Sequence, residues 1–295
     1  MTARATIPHR RAVLLGAGLA IGGFEGAWAS SVTVGELVAI ERACGGRMGV
    51  YVRDTGSGGR LLHRADERFP MCSTFKALMV GQVLSQVDHG QVSLDKRIAY
   101  GRADLLPTSP VTSKHVAKGG LPLRELCAAV IEYSDNGAAN LILREIGGPA
   151  SLTAWLRGQG DAITRLDRNE LALNSAIPGD PRDTTSPLAM GATFERLTLG
   201  DILKPASRDR LQAWLAANTT GADRLRAGLP GPWTLGDKTG SNGADTANDV
   251  ALIRPPGRAP LIAAVFVTRA TSQEAANHAI ASVGALIGRW RPAHG

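Results

Sequence analysis

The chain has 295 residues, 44% of them hydrophobic, enough to bury a sizeable core in one large domain or two closely joined ones. Aromatic residues supply only 4%, so Leu, Val, Ile and Ala must fill that core. The formal charge is +7, but it is spread along the chain, without the basic stripe and neighbouring aromatics that nucleic-acid binding requires.

The N-terminus reads as an export segment. Paired Arg10 and Arg11 precede a short apolar run from Ala12 to Phe24, and Ala27 and Ala29 flank Trp28. A positive region, an apolar region and an A-x-A site are the parts of a secretory signal. Adjacent arginines followed by Val13 and Leu14 favour the twin-arginine route and a periplasmic destination, with cleavage after Ala29 and no lasting membrane insertion. The run is short of the ~20 residues that a spanning helix needs. Removing residues 1–29 takes away three arginines and one glutamate, lowering the formal charge from +7 to +5. Cys44, Cys72 and Cys127 remain; their spacing fits no zinc pattern, no metal or organic cofactor is called for, and buried free thiols are expected.

Residues 48–64 alternate, turn at Gly56-Ser57-Gly58-Gly59 and resume, as a β-hairpin does. From Ser73, Leu78, Met79, Leu84 and Val87 recur at helical spacing until Gly90. Helical patterns follow at 123–133, 136–148, 150–160, 186–200 and 206–218. The period then changes, and 233–240, 249–256 and 259–268 read as strands before a last amphipathic helix at about 272–290. The simplest packing is an α/β fold of the α+β type. An antiparallel sheet flanked by helices is built from both chain ends (30–66 and 219–295), an all-α lobe (67–218) is inserted, and a cleft between them offers a ligand site. Within the lobe, 164–186 has little periodicity, and Leu171, Leu173 and Ile177 argue for a packed Ω-loop at 165–183.

Three short motifs occur in order. Ser73-x-x-Lys76 opens the first long helix, Ser134-Asp135-Asn136 lies between two helices, and Lys238-Thr239-Gly240 lies on a strand. Each alone has a plain structural reading as a cap or a strand end. All three in this order, with Glu170 on the loop between, point to a serine nucleophile that has its own bases.

Here the chain resembles the class A β-lactamases, in "RFPMCSTFKAL", "RELCAAVIEYSDNGAANLILREIGGP", "TRLDRNELALN", "DPRDTTSP" and "GDKTGS". The resemblance spans essentially the whole mature chain and implies hydrolysis of penicillins and cephalosporins through a serine acyl-enzyme, giving antibiotic resistance, by a monomer. It implies Ser73 as nucleophile, Lys76 one helical turn on, and Ser134 as proton relay to the departing nitrogen. The N–H groups of Ser73 and Ser241 would form the oxyanion hole. Asn136 would bind the substrate's side-chain amide, and Lys238, Thr239, Gly240 and Ser241 its carboxylate side. Arg224 would add positive charge; at the family's other arginine position stands Ala247. Glu170, helped by Asn174, would activate the water that releases the ester. Arg165 and Asp183 would close the loop's neck with a salt bridge.

Some positions depart from the family's common pattern. Asn169 and Leu171 flank Glu170 where an aromatic and a proline are frequent, and Thr108 replaces an aromatic at the cleft entrance. Cys72 holds a position that is disulfide-bonded in class A carbapenemases, but the partner position is Asn242, which implies no bridge and weak carbapenem hydrolysis. Cys127 is half of another disulfide in some relatives, and Val80 stands in its partner's place. A D,D-peptidase shares the three motifs but would lack Glu170 in this loop. A penicillin-sensing protein would acylate without turnover and carry a membrane helix.

Overall fold

The computed structural model describes residues 1–2 and 25–292. Arg10, Arg11 and the apolar run of the expected export segment lie outside these residues. In chain order the elements begin with α1 (Glu25–Cys44), β1 (Arg47–Asp54), β2 (Arg60–His63), β3 (Phe69–Pro70), α2 (Phe75–Asp88), β4 (Arg97–Ala99) and α3 (Pro110–His115). They continue with β5 (Gly120–Pro122), α4 (Leu123–Glu132), α5 (Asn136–Ile146), α6 (Pro149–Gly158), β6 (Thr184–Thr185) and α7 (Pro187–Thr198). The last are α8 (Pro205–Ala216), α9 (Leu225–Gly228), β7 (Thr234–Ser241), β8 (Ala247–Arg254), β9 (Leu261–Thr268) and α10 (Gln273–Arg289).

One antiparallel sheet of order β2-β1-β9-β8-β7 joins the two chain ends. β9 lies between β1 and β8, with Val50 opposite Val265 and Asp249 opposite Val265 on the other side. β9 is buried at every position and β8 at all but its last. Both faces of these strands are covered, by α10 on one side and α7 on the other, which is why "LIAAVFVT" is apolar throughout instead of alternating. α1 packs on α10 and was not expected from the sequence; its Gly35 and β-branched residues hide the helical period.

α2 is the axis of the inserted lobe. Every residue from Phe75 to Ser85 is buried, so its apolar residues occupy the whole circumference. Burial of each Phe, Leu, Met or Val there contributes about 1.5–3 kcal/mol. Lys76 breaks the pattern: it is fully buried on the same helix and needs partners for its charge.

The lobe is not purely helical, contrary to the expectation. Two short antiparallel ribbons interrupt it, β4 with β5 and β3 with β6. Two or three residues are too few to show a period of two. The β3–β6 ribbon ties the end of the Ω-loop to the segment that leads into Ser73. Cys44, Cys72 and Cys127 are buried free thiols, and burial pushes the Cys72 thiol up to about 12.

Candidate active site

Ser73 sits in a single 3-10 turn, Cys72–Thr74, that runs directly into α2. N–H groups in the first turn of a helix have no intrahelical partner, so this end favours negative charge. Cys72 has a left-handed backbone (φ 44°), which bends the chain sharply from β3 into the turn. β7, an edge strand, passes alongside. A Cβ on Gly240 would lie 2.6 Å from Met71 O and 3.1 Å from Ser73 N, so only glycine lets the strand come this close. On β8, Asn248 Nδ2 fastens the same turn by donating to Pro70 O and Met71 O, each at 2.9 Å.

Lys76 lies one turn beyond Ser73, and its Nζ is held on four oxygens. These are Glu170 Oε1 at 2.9 Å, Asn136 Oδ1 at 2.7 Å, Ser134 O at 2.8 Å and Ser134 Oγ at 3.2 Å. Burial pulls the amine below the usual lysine range, and the Glu170 carboxylate opposes that pull. Ser134 reaches Lys76 with both its carbonyl and its hydroxyl from a left-handed backbone (φ 57°). Asp135 caps α5 through Ala138 N and also accepts from Val111 N, Thr112 N and Thr112 Oγ1. These bonds satisfy a fully buried carboxylate and fix the Ser134–Asn136 turn.

Glu170 faces Ser73: Ser73 Oγ lies 3.4 Å from Glu170 Oε1, the oxygen that also holds Lys76. The second oxygen, Oε2, accepts from Asn174 Nδ2 at 2.7 Å. Asn174 Oδ1 is buried and has no hydrogen-bond partner among the described residues, an acceptor suited to a water O–H. Asn140, which the sequence did not single out, holds the backbone of Glu170 at both ends. Asn140 Nδ2 donates to Glu170 O, and Glu170 N donates to Asn140 Oδ1, both at 2.9 Å. It lies four residues after Asn136 on α5, so the helical period places it on the same face. The Glu170–Leu171 peptide is cis.

The neck of the Ω-loop is closed differently from the expectation. Asp183 pairs with Arg168 Nε at 2.5 Å, not with Arg165. It also accepts from the N–H groups of Asp167 and Arg168, at 2.7 and 2.9 Å. Arg165 turns instead to Asp167, two residues on, in a pair with a more exposed guanidinium. Asp183 is almost completely buried, so it takes the guanidinium that can also be drawn inward.

Across the cleft, Arg224 is buried beneath the end of β7. Its Nη1 donates to Gly240 O at 2.9 Å and Asn248 O at 2.7 Å, and its Nε donates to Asn277 Oδ1 at 3.1 Å. Burial lowers its pKa. Lys238 is fully buried one layer behind, donating to Thr239 O at 2.9 Å. Burial and then the nearby Lys76 charge depress its amine well below the lysine range. Ser73, Thr108, Ser134, Asn136, Asn174, Arg224, Thr239, Gly240 and Ser241 line a common cleft of about 680 Å³. Thr239 Oγ1 bonds Thr220 Oγ1, and Ser241 Oγ donates to Gln273 Oε1. A nucleophile-bearing hydroxyl, a buried cation and a carboxylate therefore meet at one end of a cleft whose other end is cationic. This arrangement suits acyl transfer to serine from a substrate that carries an anion.

The profile of the "Beta-lactamase enzyme family" matches residues 34–290. The chain is 49% identical to β-lactamase AST-1 of Nocardia asteroides over 251 residues, covering 85% of this chain and 81% of that protein. It is 46% identical to the carbapenem-hydrolyzing β-lactamase KPC of Klebsiella oxytoca over 268 residues, 90% of this chain and 91% of that protein. Among solved structures, an ancestral class A β-lactamase superposes with a TM-score of 0.84 at 56% identity, covering 86% of this chain and 98% of that one. A β-lactamase from Burkholderia vietnamiensis superposes with a TM-score of 0.85 at 46% identity, covering 88% and 96%. The chain thus belongs to the β-lactamase enzyme family and is a class A serine β-lactamase, an enzyme that hydrolyses β-lactam antibiotics and gives resistance to them.

Proposed function

We propose that Ser73 opens the β-lactam ring and that Glu170 drives release of the resulting ester. The observation that carries this reading is the meeting of three buried side chains: Glu170 Oε1 lies 2.9 Å from Lys76 Nζ and 3.4 Å from Ser73 Oγ. In this state Lys76 faces four acceptors, as an ammonium does, so it has no lone pair to receive a proton. Ser73 Oγ therefore gives its proton toward Glu170 as it bonds to the lactam carbonyl carbon. Negative charge on the carbonyl oxygen is met by the N–H groups of Ser73 and Ser241, each such donor being worth about 3–4 kcal/mol in the transition state. As the C–N bond breaks, the Ser134 hydroxyl protonates the leaving nitrogen and regains a proton from Lys76, which is already hydrogen-bonded to it; the proton on Glu170 then passes to the Lys76 amine 2.9 Å away, restoring the ammonium and the carboxylate.

For release, Glu170 takes a proton from a water that adds to the ester carbonyl, and Asn174 Oδ1 holds that water. The ester bond to Ser73 Oγ breaks, and Oγ takes the proton that Glu170 removed from the water, which restores both the hydroxyl and the carboxylate. Asn136 positions the substrate's side-chain amide. Arg224, Lys238, Thr239 and Ser241 supply the cationic end that accepts its carboxylate. Penicillins and cephalosporins are the substrates. Carbapenem hydrolysis is weak, because Cys72 is a free thiol and Asn242 stands where class A carbapenemases have its partner. The enzyme acts as a periplasmic monomer exported through its Arg10–Arg11 signal.

The test is Glu170→Ala. The variant is expected to form a covalent adduct with benzylpenicillin, seen by intact mass, and to lose turnover. Normal turnover in that variant would remove Glu170 from the mechanism.

A further inference from the structure

A hydrogen-bond chain links Arg224 to Ser241 through Asn277 and Gln273, two residues that no step of the reaction uses. Arg224 Nε donates to Asn277 Oδ1 at 3.1 Å, and Gln273 Nε2 donates to the same oxygen at 3.3 Å. Gln273 Oε1 accepts the hydroxyl proton of Ser241. Ser241 Oγ in turn accepts the N–H of Gly243 at 2.9 Å. Gln273 and Asn277 are one turn apart at the start of α10, and Ser241 ends β7.

The direction of this chain is fixed from both ends. A guanidinium has only donors, so Asn277 must present its oxygen to Arg224. Were Gln273 reversed, its carbonyl would face that oxygen, two acceptors without a proton between them. Its NH2 therefore faces Asn277 and its carbonyl faces Ser241. The Gly243 N–H can only donate, so Ser241 accepts there and gives its single proton to Gln273.

We propose that Gln273 is a positioning residue that sets substrate selectivity by holding the Ser241 proton away from the cleft. This rests on the assignment of Ser241 and Arg224 to the substrate carboxylate. A carboxylate arriving at Ser241 meets an oxygen lone pair unless the bond to Gln273 breaks. Substrates that are held through Arg224 and Thr239 are unaffected. Substrates whose carboxylate needs a donor at Ser241 bind more weakly than the residues lining the cleft suggest.

The experiment compares Gln273→Leu and Gln273→Ala with the wild type on one cephalosporin, alone and in a Ser241→Gly background, with melting temperatures recorded for each protein. Freeing the hydroxyl is expected to lower KM roughly tenfold, the lower end of the worth of one hydrogen bond to a charged group, while kcat stays within about twofold. In the Ser241→Gly background the same substitutions are expected to leave KM unchanged. A KM that is unaltered or raised in both single variants overturns the proposal. So does a fall of equal size without the Ser241 hydroxyl, which would mean a general loosening. A wild-type enzyme that leaves the cephalosporin intact would instead overturn the assignment of the cleft, and the inference with it.

Discussion

Asn140 makes two hydrogen bonds to the backbone of Glu170, one to its carbonyl and one from its N–H. They set where the loop carries its carboxylate. Asn140→Ala is expected to lower kcat about 10- to 100-fold through misplacement of the carboxylate, with acyl-enzyme accumulating in the mass spectrum. A kcat within about twofold of wild type would show that the loop's own packing is sufficient. At this scale the sequence exposes whatever lies within a few residues of its partner. Ser73 and Lys76 have a spacing that a helix brings to one face, where both meet Glu170, and Glu170 and Asn174 have one that a tight loop turns into a hydrogen bond. Asn140 has the same spacing from Asn136, but no chemistry marks it out. Asn248, 177 residues from Met71, and Gln273, 32 residues from Ser241, meet their partners only once the sheet exists.

The Ω-loop shows what order along the chain leaves open at the scale of an element. Asp183 is recognisable as the closing acid, but Arg165 and Arg168 are three residues apart and both can reach toward it. The choice depends on which guanidinium is drawn inward, and the structure selects Arg168. Two substitutions separate the roles. Asp183→Ala is expected to cost about 3 kcal/mol in urea unfolding, because a half-buried guanidinium and two backbone N–H groups lose their acceptor. Arg165→Ala, on a pair open to solvent, is expected to cost at most about 1 kcal/mol. Equal losses would mean that the neck is held by both arginines. The short ribbons and α1 escaped the sequence for a different reason. The ribbons are shorter than one period of their pattern, and α1 is stabilised by packing on α10 more than by its own residues.

Seen as a whole molecule, the protein concentrates buried charge beneath its cleft. Asp237 on β7 and Asp249 on β8 lie near each other, with Lys238, Arg224 and Arg226 nearby. Burial raises both carboxyl pKa values, Asp249 most strongly, and the neighbouring Asp237 charge adds to the shift. The folded state then holds these protons more tightly than the unfolded chain. Their contribution to stability is full below the ordinary carboxylate range, near pH 4, and is lost as pH rises through the raised folded values. Asp249→Asn cannot ionise, so its melting temperature relative to wild type is expected to climb between about pH 4 and pH 8. A constant gap across that range would show that Asp249 keeps its ordinary titration.

The placing of β9 between β1 and β8 has a consequence for synthesis. A growing polypeptide makes β1 and its neighbour β2 early, yet its other neighbour, β9, arrives only near the end, after the catalytic helices are complete. The strand that crowds the reactive hydroxyl is likewise produced late. The cleft therefore cannot be complete until β7, β8 and β9 have been made, late in the chain.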